Sequence, residues 1–243
     1  MDIKLDNCFQ FGLGAFETIA VEEGQAVFSG RHLRRLKKAA EFLNIGNPEE
    51  RGITEEGIRE YIKKTGLIKG ALKIMLSQDN VLMTTRDNPY MEENYIKGFR
   101  ADFSPVKRNE TSPLVYYKTM NCGDCILEKR AAAAAGFNER IFLNTKGQIS
   151  EGTVSNIFFV RRNQICTPQV SCGILPGIMR EYLLENYDIN ERVIYPEELK
   201  YYDECFVTNS LMGIMPVMQL GDKQFTERGT ADRLRKEYIR NRF

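Results

Sequence analysis

Histidine is almost missing from this chain: His32 is the only one in 243 residues. A Ser-His-Asp or Cys-His catalytic unit would rest on that side chain alone, and its place at the start of a strongly helical stretch reads as capping or packing. Net charge is nearly missing too. The balance is +1, with 34 Lys and Arg against 33 Asp and Glu, and the signs are interspersed, so there is no broad field for nucleic acid or an anionic membrane. No apolar run approaches a membrane span, and the opening "MDIKLDNCFQF" lacks the basic-then-apolar plan of a secretory leader, which predicts a cytoplasmic protein. Six cysteines in a chain this long are not a disulfide framework. Cys122-Gly123-Asp124-Cys125 has the spacing of a thiol redox motif or half a zinc site, but no second CxxC follows and His32 is distant in sequence, so no metal is expected.

The pattern that is present is mixed α and β. "AFETIAVEEGQAVF" alternates around Glu23-Gly24 and predicts a hairpin leading into the helix "RHLRRLKKAAEFL", whose Leu33, Leu36, Ala40 and Leu43 share a face. A second helix is expected over 54–65 with Thr54 as its N-cap, then two strands joined at Asp79-Asn80. The polar, proline-bearing segment "FSPVKRNETSP" is the best linker in the chain, giving an N-terminal domain over 1–105, a linker at 106–112 and a C-terminal domain over 113–243. In that second part a strand is expected at 114–118, a helix over 121–135, strands at 139–144 and 149–160, a helix from Gly177, a strand in "ECFVTNS" and a closing charged helix.

Within "ISEGTVSNIFFV" Glu151 precedes an interior-type strand with no basic residue in the window, and an unpaired buried carboxylate is costly. Four other stretches complement it. In "LVYYKTMN", Lys118 follows an apolar, aromatic run and suits a desolvated amine that attacks a carbonyl carbon. "CGILPGIMRE" brings a glycine-rich loop to a helix start, where backbone N–H groups and the helix dipole favour an anion. "RHLRRL" can supply a guanidinium to the same anion, and "FVTNSLMGIMPV" offers hydroxyl and amide groups. An amine, a phosphate-type anion site and an embedded carboxylate together describe pyridoxal phosphate. Its aldehyde needs a lysine, its phosphate needs a helix start with an arginine and a hydroxyl, and its ring nitrogen needs a carboxylate.

The same stretches, with "FGLGAFET", resemble the fold-type IV pyridoxal-phosphate enzymes, the class IV aminotransferase family, over nearly the whole chain. The resemblance implies a smaller N-terminal α/β domain and a larger, barrel-like C-terminal α/β domain with the cofactor between them, and a homodimer. It implies Lys118 as the cofactor-linked lysine, Glu151 as the ring-nitrogen partner, and Arg35 with the backbones of Ile178 and Met179 and the hydroxyl of Ser210 as phosphate ligands. Leu175 would pack on the ring, and Phe16, Thr18, Arg86 and Leu211 would face the amine substrate. Three positions depart from the family pattern: Cys122 stands where a tyrosine is usual, Met179 where threonine is common, and the opening strand is abbreviated.

Among the family's reactions, "TNSLMGIMPV" and the chain length are more similar to 4-amino-4-deoxychorismate lyase, which releases 4-aminobenzoate and pyruvate in folate biosynthesis. A branched-chain or D-amino-acid aminotransferase is the alternative, and a cofactor-binding homologue that has lost catalysis is a third.

Overall fold

A computed structural model describes residues 3–243. Two compact units share the chain. The first comprises residues up to Pro89 with Tyr117–Cys122 and Arg242–Phe243; the second comprises Tyr90–Tyr116 and Gly123–Asn241.

In the first unit, α1 (Asn7–Phe11) precedes β1 (Ala15–Glu22), β2 (Gln25–Ala26), α2 (Ser29–Leu43), α3 (Glu55–Thr65), β3 (Gly70–Leu76) and β4 (Val81–Arg86). The antiparallel sheet runs β2-β1-β3-β4. The hairpin closes on two residues, Glu23 and Gly24, both at positive φ, the turn whose twist matches that of the flanking strands. Thr54 caps α3 by accepting from the Gly57 N–H.

Alternation gives this sheet two unlike faces. Ile19, Val21, Leu72, Ile74 and Leu76 pack with Leu36, Ala39 and Ala40 of α2 and Ile58 and Ile62 of α3 into one core. By register, the opposite face carries Phe16 and Thr18 of β1, Lys73 and Met75 of β3, and Leu82, Thr84 and Arg86 of β4. Glu17 is the one acid among the core-facing positions of β1.

The second unit contains α4 (Glu92–Lys97), β5 (Phe99–Arg108), α5 (Gly123–Ala134), β6 (Glu139–Asn144), β7 (Ile149–Gly152), β8 (Asn156–Arg161), β9 (Gln164–Pro168), α6 (Ile178–Asn186), β10 (Ile189–Arg192), β11 (Glu204–Asn209), β12 (Gly213–Leu220), β13 (Lys223–Gln224) and α7 (Gly229–Asn241). Its mixed sheet runs β10-β9-β8-β11-β12-β5-β6-β7, with β13 beside β12. Because β7 ends this order while β8 lies well inside it, and only residues 153–155 join them, the sheet must curl back on itself into a half-barrel. Phe159, Val207, Met215, Val217 and Ile141 fill the interior.

Three sequence expectations are corrected here. The stretch 114–118 is not a strand. Pro113–Tyr116 form a 3-10 turn, and the chain beyond it lies alongside the start of β1, where Phe16 N–H donates to Lys118 O and Met120 N–H donates to Gly14 O. The expected strand 149–160 is two strands, because the residues between them turn onto a buried carboxylate. Glu139, fully buried, accepts from Thr153 N–H, the Thr153 hydroxyl and the Ser155 hydroxyl. Finally, 106–108 finish β5 inside the second unit, and a register irregularity between Phe103 and Lys107 accommodates Pro105, which has no N–H for the ladder.

Replacing Glu139 with alanine strands the Thr153 and Ser155 hydroxyls in the interior, and is expected to lower unfolding free energy by about 2–4 kcal/mol. A denaturant titration with unchanged slope and a lower midpoint is the expected reading.

Candidate functional site

Around Lys118 in the first unit, the side chain reaches over the Phe16 ring, its Nζ 4.5 Å from the centroid. Lys73 Nζ lies 5.0 Å from the same centroid. Both ammonium groups therefore belong to the Phe16 and Thr18 face of the sheet. Lys73 is half-buried in the middle of β3 and has no ion pair among the described residues, although a cation half out of water gains most from an anionic partner. The sequence reading missed Lys73; its mark was a charged residue at the centre of the apolar run "GALKIML". Arg86 shares that face through the register of β4 and is exposed at the strand's end.

Arg35 comes from α2 on the other side of the sheet. Its Nε and Nη2 each donate to one Glu17 carboxylate oxygen at 2.7 Å, while His32 Nδ1 stands 2.6 Å from Glu17 Oε2. Burial raises the carboxyl pKa, but the Arg35 charge and the hydrogen bonds from Arg35 and His32 outweigh it and hold Glu17 down to about 2. His32 is lowered, chiefly because burial disfavours the imidazolium more than Glu17 favours it. A neutral ring facing a carboxylate carries its proton on Nδ1, which leaves Nε2 as an acceptor, and that atom is buried with no partner among the described residues. His32 is thus a packing residue with a polar task.

In the second unit, Glu151 on β7 is 5% exposed. The sequence window around it held no base, but Arg108 arrives from β5. Arg108 Nε and Nη2 donate to Glu151 Oε1 at 3.1 and 2.5 Å. Burial disfavours the Arg108 charge, yet Glu151 offsets it and leaves the guanidinium above its usual pKa. Oε2 accepts from Leu175 N–H at 3.0 Å and makes a long contact to Asn156 Nδ2 at 3.5 Å. Asn156 also donates to Leu175 O at 2.9 Å. A Cβ on Gly177 would fall 2.1 Å from Asn156 Oδ1, so only glycine lets the start of α6 approach this amide. Asn156 therefore links Glu151 to the helix start, a role hidden in sequence because one amide opening an apolar strand resembles a strand end.

At the start of α6, Gly177 is the N-cap and makes no side-chain cap bond, so the Ile178 and Met179 N–H groups open the helix beneath their own buried side chains. The turn after β11 is shaped by Asn209, whose Oδ1 accepts from Leu211 N–H and Met212 N–H. Ser210, half-buried, lies in that turn. Two residues earlier, near the end of β11, the Thr208 hydroxyl is buried without a partner among the described residues. Thr208 stands opposite Asn156 in the sheet, so its hydroxyl belongs to the neighbourhood of Glu151 and the α6 start.

The six cysteines are free thiols, and among the described residues no cluster of His, Cys, Asp or Glu could hold a metal ion. No helix there is long and apolar enough to cross a membrane.

The chain is similar to known proteins in sequence and in fold. A family model described as amino-transferase class IV matches residues 14–220. The probable branched-chain-amino-acid aminotransferase of Thermotoga maritima is 27% identical, covering 93% of this chain and 85% of that protein. The aminodeoxychorismate lyase of Bacillus subtilis is 24% identical, covering 90% and 82%. The crystal structure of a putative 4-amino-4-deoxychorismate lyase from Legionella pneumophila superposes with a TM-score of 0.87 at 25% identity, covering 99% of this chain and 95% of that one.

Substituting Arg108 by methionine removes the cation from a buried pair and leaves Glu151 charged without compensation. The expected cost is about 3 kcal/mol, read as a lower denaturation midpoint, with part of it regained in the Arg108→Met, Glu151→Gln double variant.

Proposed function

The chain belongs to the class IV amino-transferases, a family of pyridoxal-phosphate enzymes, and from that premise we propose that it is a lyase acting on 4-amino-4-deoxychorismate. The residues present fit the cofactor. An uncapped helix start and a buried hydroxyl with no partner among the described residues are donors of the kind a phosphate takes, and a carboxylate paired with an arginine is the partner a pyridine nitrogen needs. Bound pyridoxal phosphate supplies an aldehyde for the substrate amine and a ring that withdraws electrons from the carbon beside it.

In this reading Lys118 would hold the cofactor's aldehyde and would serve as the proton carrier. The Phe16 ring stands against its Nζ and covers one side of it. Glu151, fixed by Arg108 and the Leu175 N–H, would keep the ring nitrogen protonated, and Leu175 would pack on the ring. Arg35, the Ile178 and Met179 N–H groups and the Ser210 hydroxyl would hold the phosphate, with Thr208 as a further hydroxyl.

The observation that carries the lyase over the aminotransferase is the pair of cations on the Phe16 and Thr18 face. Lys73 and Arg86 provide for two carboxylates, and aminodeoxychorismate has one on its ring and one on its enolpyruvyl arm, whereas leucine or valine has one. Leu211 faces the same substrate. The aminotransferase remains the second reading because the Thermotoga maritima relative is at least as similar in sequence. A cytoplasmic homodimer completes the proposal, with exposed Phe9, Phe11 and Leu127 as apolar surface that a second copy would cover.

Borohydride reduction in the presence of pyridoxal phosphate, followed by peptide mapping, is expected to place the label on Lys118; a label on another lysine would overturn the assignment. Incubation with aminodeoxychorismate is expected to release fluorescent 4-aminobenzoate and pyruvate, and Lys73→Met to raise KM about tenfold with a smaller effect on kcat. Amino transfer from leucine, isoleucine, valine or D-alanine without 4-aminobenzoate would decide for the aminotransferase.

A further inference from the structure

Glu17 is an anomaly that the proposed chemistry does not use. It occupies a core-facing position in β1, opposite Ile74 and between Ala15 and Ile19, and is 1% exposed. Burying a carboxylate, an arginine and an imidazole together is a poor way to join a strand to a helix. Apolar side chains of similar volume do as well or better for stability, so the cluster's value lies in the geometry it imposes.

That geometry is specific. The two carboxylate oxygens take the Nε and Nη2 edge of Arg35 in a fork-to-fork pair, which fixes the guanidinium plane and directs its Nη1 end away from Glu17. His32, neutral and protonated on Nδ1, occupies a further lone pair of Oε2 and so restrains the carboxylate from rotating. The three residues come from β1 and α2, both rigid elements, and Lys118 is close enough for its charge to act on His32.

We propose that Glu17 is a positioning residue that aims Arg35 at the cofactor's phosphate, with His32 as its brace, so that the cluster sets how strongly the protein prefers a phosphorylated pyridoxal to an unphosphorylated one. The inference rests on the reading of Arg35 as a phosphate ligand. Two effects of Glu17 oppose each other. Its charge weakens the pull of Arg35 on an anion, whereas its grip removes the freedom of a long side chain before the ligand arrives. The grip dominates, because a glutamine in its place would set an N–H against an Arg35 N–H and turn the guanidinium out of plane.

The test is a titration of the full-length protein, freed of cofactor, with pyridoxal 5'-phosphate and with pyridoxal, reading the ratio of their affinities from the absorbance of the bound chromophore. It compares the parent, Glu17→Gln, Arg35→Lys and the double variant. Expected are a fall of about tenfold in that ratio for Glu17→Gln, a fall for Arg35→Lys, and no further fall in the double variant, since Glu17 acts through Arg35. An unchanged or raised ratio in Glu17→Gln, with a lowered ratio in Arg35→Lys, would overturn the positioning role while leaving the phosphate reading intact. An unchanged ratio in Arg35→Lys would overturn the phosphate reading, and the inference with it. A merely structural Glu17 would lower both affinities together. Should Glu17→Gln not fold, His32→Gln keeps the ion pair and removes only the brace: a lowered ratio supports the role, and an unchanged one rejects it.

Discussion

One fully buried carboxylate sets the layout of the larger unit. Glu139 gathers the Thr153 N–H and the Thr153 and Ser155 hydroxyls, and in doing so turns the chain between β7 and β8. Without that turn, residues 149–160 would be one extended strand, as their composition suggests, and successive side chains would simply alternate between its two faces. With it, the last strand of the sheet returns to an inner one and the sheet curls. Glu151 and Asn156 stand on either side of the turn, and their amide-to-carboxylate contact exists because the turn does.

From there a chain of polar contacts runs through the unit: Arg108 to Glu151, Glu151 to Leu175 N–H, Asn156 to Leu175 O and to the space left by Gly177. Each link joins residues far apart in sequence. The same logic recurs in the smaller unit, where Glu17 joins β1 to α2. Buried carboxylates in this protein act as clamps between elements, and each meets a cation or a set of donors that offsets its lost hydration.

How much of this was legible beforehand follows from how local each signal is. The hairpin at Glu23-Gly24, the Thr54 cap and the helix start at Gly177 are written within a few residues, and all were readable. So were the stretches that carry the family resemblance, because they are contiguous. Arg108 as the partner of Glu151 was not readable, since it lies in a polar, proline-bearing segment whose strand character comes from pairing with β6. Lys118 was expected at a strand end and instead lies in a link beside β1, because Pro113 opens a 3-10 turn and the neighbouring backbone groups find partners across the chain. Lys73 was passed over because a strand's two faces look alike until the helices that cover one of them are known.

The position of β5 bears on how the chain is made. It lies between β12 and β6, in parallel to both, and β12 follows both of them in the chain. An emerging chain therefore carries β5 with its β12 side unmatched until β12 appears. Pro105 and Lys107, farther along β5 than the residues that meet β12, suit that waiting period, because a strand with a missing donor and added charge is a poor template for another chain.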